Sequence, residues 1–137
     1  MKEQYVPYPI AIEMKALGFD EECYAYYDKD GEAYEFEYYD MDRTNSTLQS
    51  DYGGDKDCTA PLWQQALEWL DSKGIFIDII YCKSGEFSAF VENECDISIT
   101  DALLFKLYKS RSEAQEAAIL EALKYMKNNK LQMNGKN

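Results

Sequence analysis

The 137-residue chain carries 26 acidic and 14 basic side chains, a net charge of −12, and no histidine. The missing histidine excludes Ser-His-Asp and Cys-His nucleophile activation and His-ligated zinc. So acidic a surface repels phosphate backbones, which argues against direct nucleic-acid binding.

Hydrophobic residues make up 46% and aromatics 15%. A chain of this kind folds as a globule and needs no disulfide or metal staple. Apolar runs are short, such as Ile79 to Cys82, well below the roughly 20 residues of a bilayer span. The opening MKEQYVPYPI lacks an apolar signal-peptide core. The expected location is therefore cytoplasmic. Cys23, Cys58, Cys82 and Cys95 form no C-x-x-C pair and read as reduced, buried thiols.

In chain order, the first element is a short helix from near Pro9, since proline suits a first helical turn. Ile10, Ala11, Met14 and Leu17 share one face, Gly18 gives a left-handed stop, and Phe19 folds back on the last turn.

A hairpin follows. Residues 22–40, ECYAYYDKDGEAYEFEYYD, hold seven aromatic and seven acidic side chains. Asp28-Lys29-Asp30-Gly31-Glu32 is turn chemistry, with Gly31 left-handed in a three-residue loop closed by Asp28 and Glu32. That register sets Tyr26 opposite Tyr34 and Tyr24 opposite Phe36. Alternation places Tyr24, Tyr26, Tyr34, Phe36 and Tyr38 on one face, and Cys23, Ala25, Tyr27, Glu35 and Glu37 on the other. The expectation is that the ring face packs into the core, under Trp63, Trp69 or the last helix, while the acids face water.

Residues 40–57 are polar and aperiodic and read as a long loop, of a length that is often functional or mobile. Between Phe19 and Asp57 there are thirteen acidic and three basic residues, so most of the net charge sits here. A second helix starts at Thr59 and Pro61 and stops at Gly74. Its wide stripe of Leu62, Trp63, Ala66, Leu67, Trp69 and Leu70 marks a central helix. The second hairpin, with a Lys83-Ser84-Gly85 loop, gathers Ile77, Ile79, Tyr81, Phe87, Ala89 and Val91 on one face. Residues 102–108 fit a short helix or an edge strand. Ser110 and Glu113 have capping-box spacing, and a last helix runs to about Lys127, lined by Ala118, Ile119, Ala122, Leu123 and Met126. The tail 131–137 should fray.

The predicted fold is α+β, a single domain over residues 1–130 in helix-hairpin-helix-hairpin-helix order. It has an antiparallel sheet with the helices packed mostly on one face. The repeated helix-hairpin order would suit an internal duplication or simply two common units.

Chemical motifs are sparse. Asp28, Asp30 and Glu32 occupy the first, third and fifth places of a calcium loop, but Ala33 and Tyr39 stand where glycine and glutamate are required. A frame from Asp40 matches no better. Glu35 and Glu37 share a strand face rather than flanking a cleft. Cys58 at a helix mouth would favour a thiolate, yet Asp55 and Asp57 oppose it. No catalytic, cofactor or metal residue is expected, and no cofactor.

The stretches YVPYPIAIEMKALGFDEECYAYYDKDG, YGGDKDCTAPLWQQALEWLDSKG and EAQEAAILEALKYM resemble a family of small proteins found in gut Bacteroidales genomes, their phages and mobile elements. The resemblance covers most of the chain and is most specific at Ala60 to Ala66. It brings no established activity, cofactor or catalytic residue. It implies a setting: a cytoplasmic accessory protein of a phage or integrated element.

The expected function is a non-enzymatic, accessory or inhibitor-type interaction module. Asp28, Asp30, Glu32, Glu35, Glu37, Asp40 and Asp42 would contact a basic protein partner. In a phage setting that partner could be a nucleic-acid-binding host protein, the acids standing in for phosphates. The alternatives are a small enzyme using Asp, Glu or Tyr in a pocket, or a homodimer joined through its aromatic face.

Overall fold

A computed structural model describes residues 4–36, 43–48, 56–93 and 106–135. It is α+β, with three helices and two small antiparallel sheets among the described residues. The chain divides into two compact units, Met1–Ala66 and Leu67–Asn137, and the division falls inside the second helix.

The first unit opens with α1, Tyr8–Ala16, which has Pro9 in its first turn. Ile10, Ala11 and Met14 are buried, as their spacing requires. The helix ends in a Schellman arrangement. The Phe19 N–H reaches the Met14 carbonyl at 2.9 Å and the Gly18 N–H reaches Lys15 at 3.1 Å, satisfying two orphan carbonyls. Phe19 is buried.

Strands β1, Ala25–Asp28, and β2, Ala33–Glu35, form the expected hairpin. Tyr26 faces Tyr34, and the Phe36 N–H donates to the Tyr24 carbonyl. The Asp28 N–H donates to Glu32 and the Gly31 N–H returns to Asp28, both at 3.0 Å, with Gly31 at φ +79°.

A third strand, β3, Lys56–Thr59, takes the other edge of β1, giving the order β2-β1-β3. Two expectations change here. Thr59 ends a strand and does not start a helix. Among the described residues the two hairpins also lie in separate sheets and not in one, and β3 takes the free edge of β1.

The buried face of β1 is the reverse of the one expected. Cys23, Ala25 and Tyr27 are buried, while Tyr24 and Tyr34 are 49% and 47% exposed. The physical reason lies in the hydroxyls, and helix α1 packs alongside on β3. Tyr27, the one large ring on that face, has a partner for its hydroxyl in the Val6 carbonyl and meets Tyr8 edge-on at 5.4 Å. Burying Tyr24, Tyr26 and Tyr34 instead would need three more partners, at about 1–3 kcal/mol for each one left unmet. On the open face Tyr26 stacks on Tyr34 at 5.6 Å and lies against Phe36 at 5.1 Å. Among the described residues of that row Phe36 alone is buried. Tyr38 lies outside the described residues.

Part of the stretch read as loop is held fast. The Cys23 N–H donates to Arg43, Leu48 is buried, and Asn45 bridges two elements. Its Nδ2 donates to the Phe19 carbonyl at 2.8 Å, and its Oδ1 accepts from the Thr59 N–H at 2.9 Å. Asp20 accepts both the N–H and the hydroxyl of Ser46. These two bonds hold its carboxyl below the usual range.

Helix α2, Trp63–Ser72, is entered through Leu62, whose N–H donates to Gln65 Oε1. Gln65 thus supplies the backward half of a capping box that the sequence lacked a serine to announce. Ala66, Trp69 and Leu70 are buried, and Leu62, Trp63 and Leu67 only partly so.

In the second unit, β4, Ile75–Tyr81, pairs with β5, Phe87–Asn93, across the expected Lys83–Gly85 loop. The Cys82 N–H donates to Glu86 and the Gly85 N–H to Cys82, repeating the pattern of the first hairpin. Ile75, Ala89 and Val91 are buried on one face. Tyr108 forms a single bridge with Phe87, so that part of residues 102–108 is extended. Residues 101–105 lie outside the described residues.

Helix α3, Arg111–Gly135, packs against β4 and β5 with Ala114, Ala118, Ile119, Ala122 and Leu123 buried. Ser110 Oγ accepts the Glu113 N–H at 3.1 Å, and Glu113 returns to Lys109 instead of Ser110. The helix continues past Lys127.

Candidate interaction surface

The seven carboxylates expected to meet a partner fall into two groups. Asp28, Asp30, Glu32 and Glu35 are described, whereas Glu37, Asp40 and Asp42 lie outside the described residues. Asp28 builds the turn: its Oδ1 accepts the N–H groups of Asp30 and Glu32, each at 2.9 Å. Asp30 and Glu32 project from that turn into solvent. Glu35 is exposed on β2, and its Oε1 accepts the Tyr5 hydroxyl at 3.3 Å. The pairing Ala25↔Glu35 puts Glu35 at the rim of the buried face, away from the tyrosines.

The residues that sequence reasoning misplaced are Tyr24, Tyr26 and Tyr34. They form an open aromatic strip on β1 and β2, next to the acidic turn. Asp28 lies beside Tyr34 and, with lesser contributions from partial burial and Glu32, holds its hydroxyl above the ordinary tyrosine pKa. One signal was available in the sequence. Cys23 and Ala25 are small residues without hydroxyls, so their face of the hairpin can be buried without stranding a polar group.

A second cluster joins α1 to β3. Tyr8 donates to Asp57 Oδ2, and Lys15 Nζ donates to the Asp57 carbonyl. The hydrogen bond to Asp57 pushes the Tyr8 hydroxyl up to about 12. Beside it, Cys58 lies in a strand and not at a helix mouth. Burial, then the Asp57 charge, pushes its thiol up to about 12. Burial likewise pushes Cys23 up to about 11. Both stay protonated near neutrality, which is the reverse of what a nucleophile needs.

Among the described residues no carboxylate is buried, and no group of three or more His, Cys, Asp or Glu could hold a metal ion. No described helix is long and apolar enough to cross a membrane. No protein-family model matches the chain, and neither a curated protein nor a solved structure does.

Proposed function

We propose that the β1–β2 hairpin is a protein-binding surface that receives a basic partner. The observation that carries this reading is the exposure of Tyr24 and Tyr34 beside Asp30 and Glu32. Tyrosine is enriched at protein interfaces because it brings a rigid ring and a hydroxyl tolerant of water. A tyrosine face also attracts guanidinium and ammonium groups, at roughly 0.5–1 kcal/mol for an exposed site. Carboxylates alongside add steering and choice of partner sign.

The reading takes the chain as one functional domain in helix-hairpin-helix-hairpin-helix order, with β3 added. It assigns the protein to the cytoplasm as an accessory or inhibitor-type protein of a phage or mobile element. The absence of any buried carboxylate among the described residues favours binding over acid–base catalysis.

The test is titration with an arginine-rich synthetic peptide at low and high salt. Binding that weakens with salt, and falls by about tenfold or more in the Asp30→Lys/Glu32→Lys variant, is the expected result. Equal binding by that variant and the parent chain overturns the reading.

A further inference from the structure

The hairpin of the second unit has a face that the first proposal does not use. On the side away from its buried residues, the register Phe76↔Glu92, Asp78↔Phe90 and Ile80↔Ser88 makes a checkerboard of apolar groups and carboxylates. Phe76 is 47% and Ile80 44% exposed. Together with Phe90, Asp78 and Glu92 they line a shallow depression of about 290 Å³. Neither Asp78 nor Glu92 has a cationic partner among the described residues, and both are exposed.

We infer that this outer face of β4–β5 docks a basic amphipathic helix of a partner protein. Three considerations select that occupant. First, the face is a sheet surface and not a sheet edge, so a partner strand would find no backbone groups to pair with there. Two strands about 4.8 Å apart, with their side chains, match the width of one helix, about 10 Å. The opposite face already carries α3 in this way. Second, Asp78 and Glu92 stand diagonally about Phe76 and Phe90. They call for a lysine or arginine on either flank of an apolar stripe at i, i+3, i+4 and i+7 spacing. Third, a second copy is a poor occupant. A two-fold contact on this face sets the same carboxylates against one another, in a chain already at −12.

The inference stands independently of the first hairpin. The probe is a synthetic leucine–lysine amphipathic helical peptide, compared with a leucine–glutamate counterpart of the same pattern. Amide shifts in the isotope-labelled full-length chain locate the contact. The expected result is shifts concentrated in residues 75–81 and 87–93 with the lysine peptide and none with the glutamate one. Ile80→Lys and Asp78→Lys/Glu92→Lys should each weaken binding by about tenfold or more. All three positions are exposed, and unchanged circular dichroism verifies that the fold persists. Shifts confined to the β1–β2 turn, or full binding by Asp78→Lys/Glu92→Lys, overturn the inference. So does a doubled mass in size exclusion that Ile80→Lys restores to a monomer.

Discussion

Tyr24 and Tyr27 sit three positions apart and have opposite fates. Tyr27 is buried because the Val6 carbonyl accepts its hydroxyl, and Tyr24 is left half in water. A local pattern of alternation gives both strand faces but does not say which one a helix will cover. Gly31 shows the same dependence on distant atoms. Its φ of +79° was legible from Asp28-Lys29-Asp30-Gly31 as a turn. No local pattern foretells that a Cβ there would stand 3.1 Å from Tyr8 Cδ2. Gly31→Ala therefore combines a left-handed backbone, costing roughly 1–2 kcal/mol, with a crowded ring. Gly18→Ala has a comparable positive φ and open space around it. Urea unfolding should show Gly31→Ala as the more damaging of the two. Equal losses would mean that Tyr8 moves aside freely.

At the scale of elements, both hairpins were readable to the residue. Gly31 and Gly85 fix the loop length, and loop length fixes the register. Residues 43–48 were not readable, because their placement comes from side-chain hydrogen bonds to distant parts of the chain. Asn45 ties the end of α1 to β3 through the Phe19 carbonyl and the Thr59 N–H. Nothing in the periodicity of residues 40–57 marks that asparagine. Asn45→Ala should cost about 1–3 kcal/mol, two hydrogen bonds' worth, in equilibrium unfolding. Asn45→Asp keeps the acceptor for Thr59 and loses the donor to Phe19, so an intermediate loss is expected. A neutral Asn45→Ala would show that water replaces both bonds.

At the scale of the whole molecule, the buried protonated groups set how stability varies with pH. Cys23, Cys58 and Tyr27 have ordinary values of 9.0, 9.0 and 10.0, pushed up to about 11, 12 and 12, mainly by burial. Between about pH 9 and 12 the unfolded chain releases protons that the folded chain keeps. Stability is then full below pH 9 and falls as pH rises through that window. Denaturant midpoints measured across pH 7 to 12 should decline on the alkaline side, and Cys58→Ala should flatten the decline. A midpoint that holds level to pH 12 contradicts this linkage.

The sequence by itself determined that three helices form, the turns and both hairpin registers, but not where α2 begins or α3 ends. Each depends on groups a few residues apart: a proline or serine at a helix start, a glycine where φ is positive, alternation along a strand. It also determined the acidic character that underlies both binding proposals. The tertiary structure alone decided that β3 would edge β1 and that the two hairpins would belong to separate sheets. It also decided that the tyrosine strip would face outward over the acidic turn. Those outcomes turn on which face can be covered with every hydroxyl and backbone group satisfied, and the partners for that come from elsewhere in the chain.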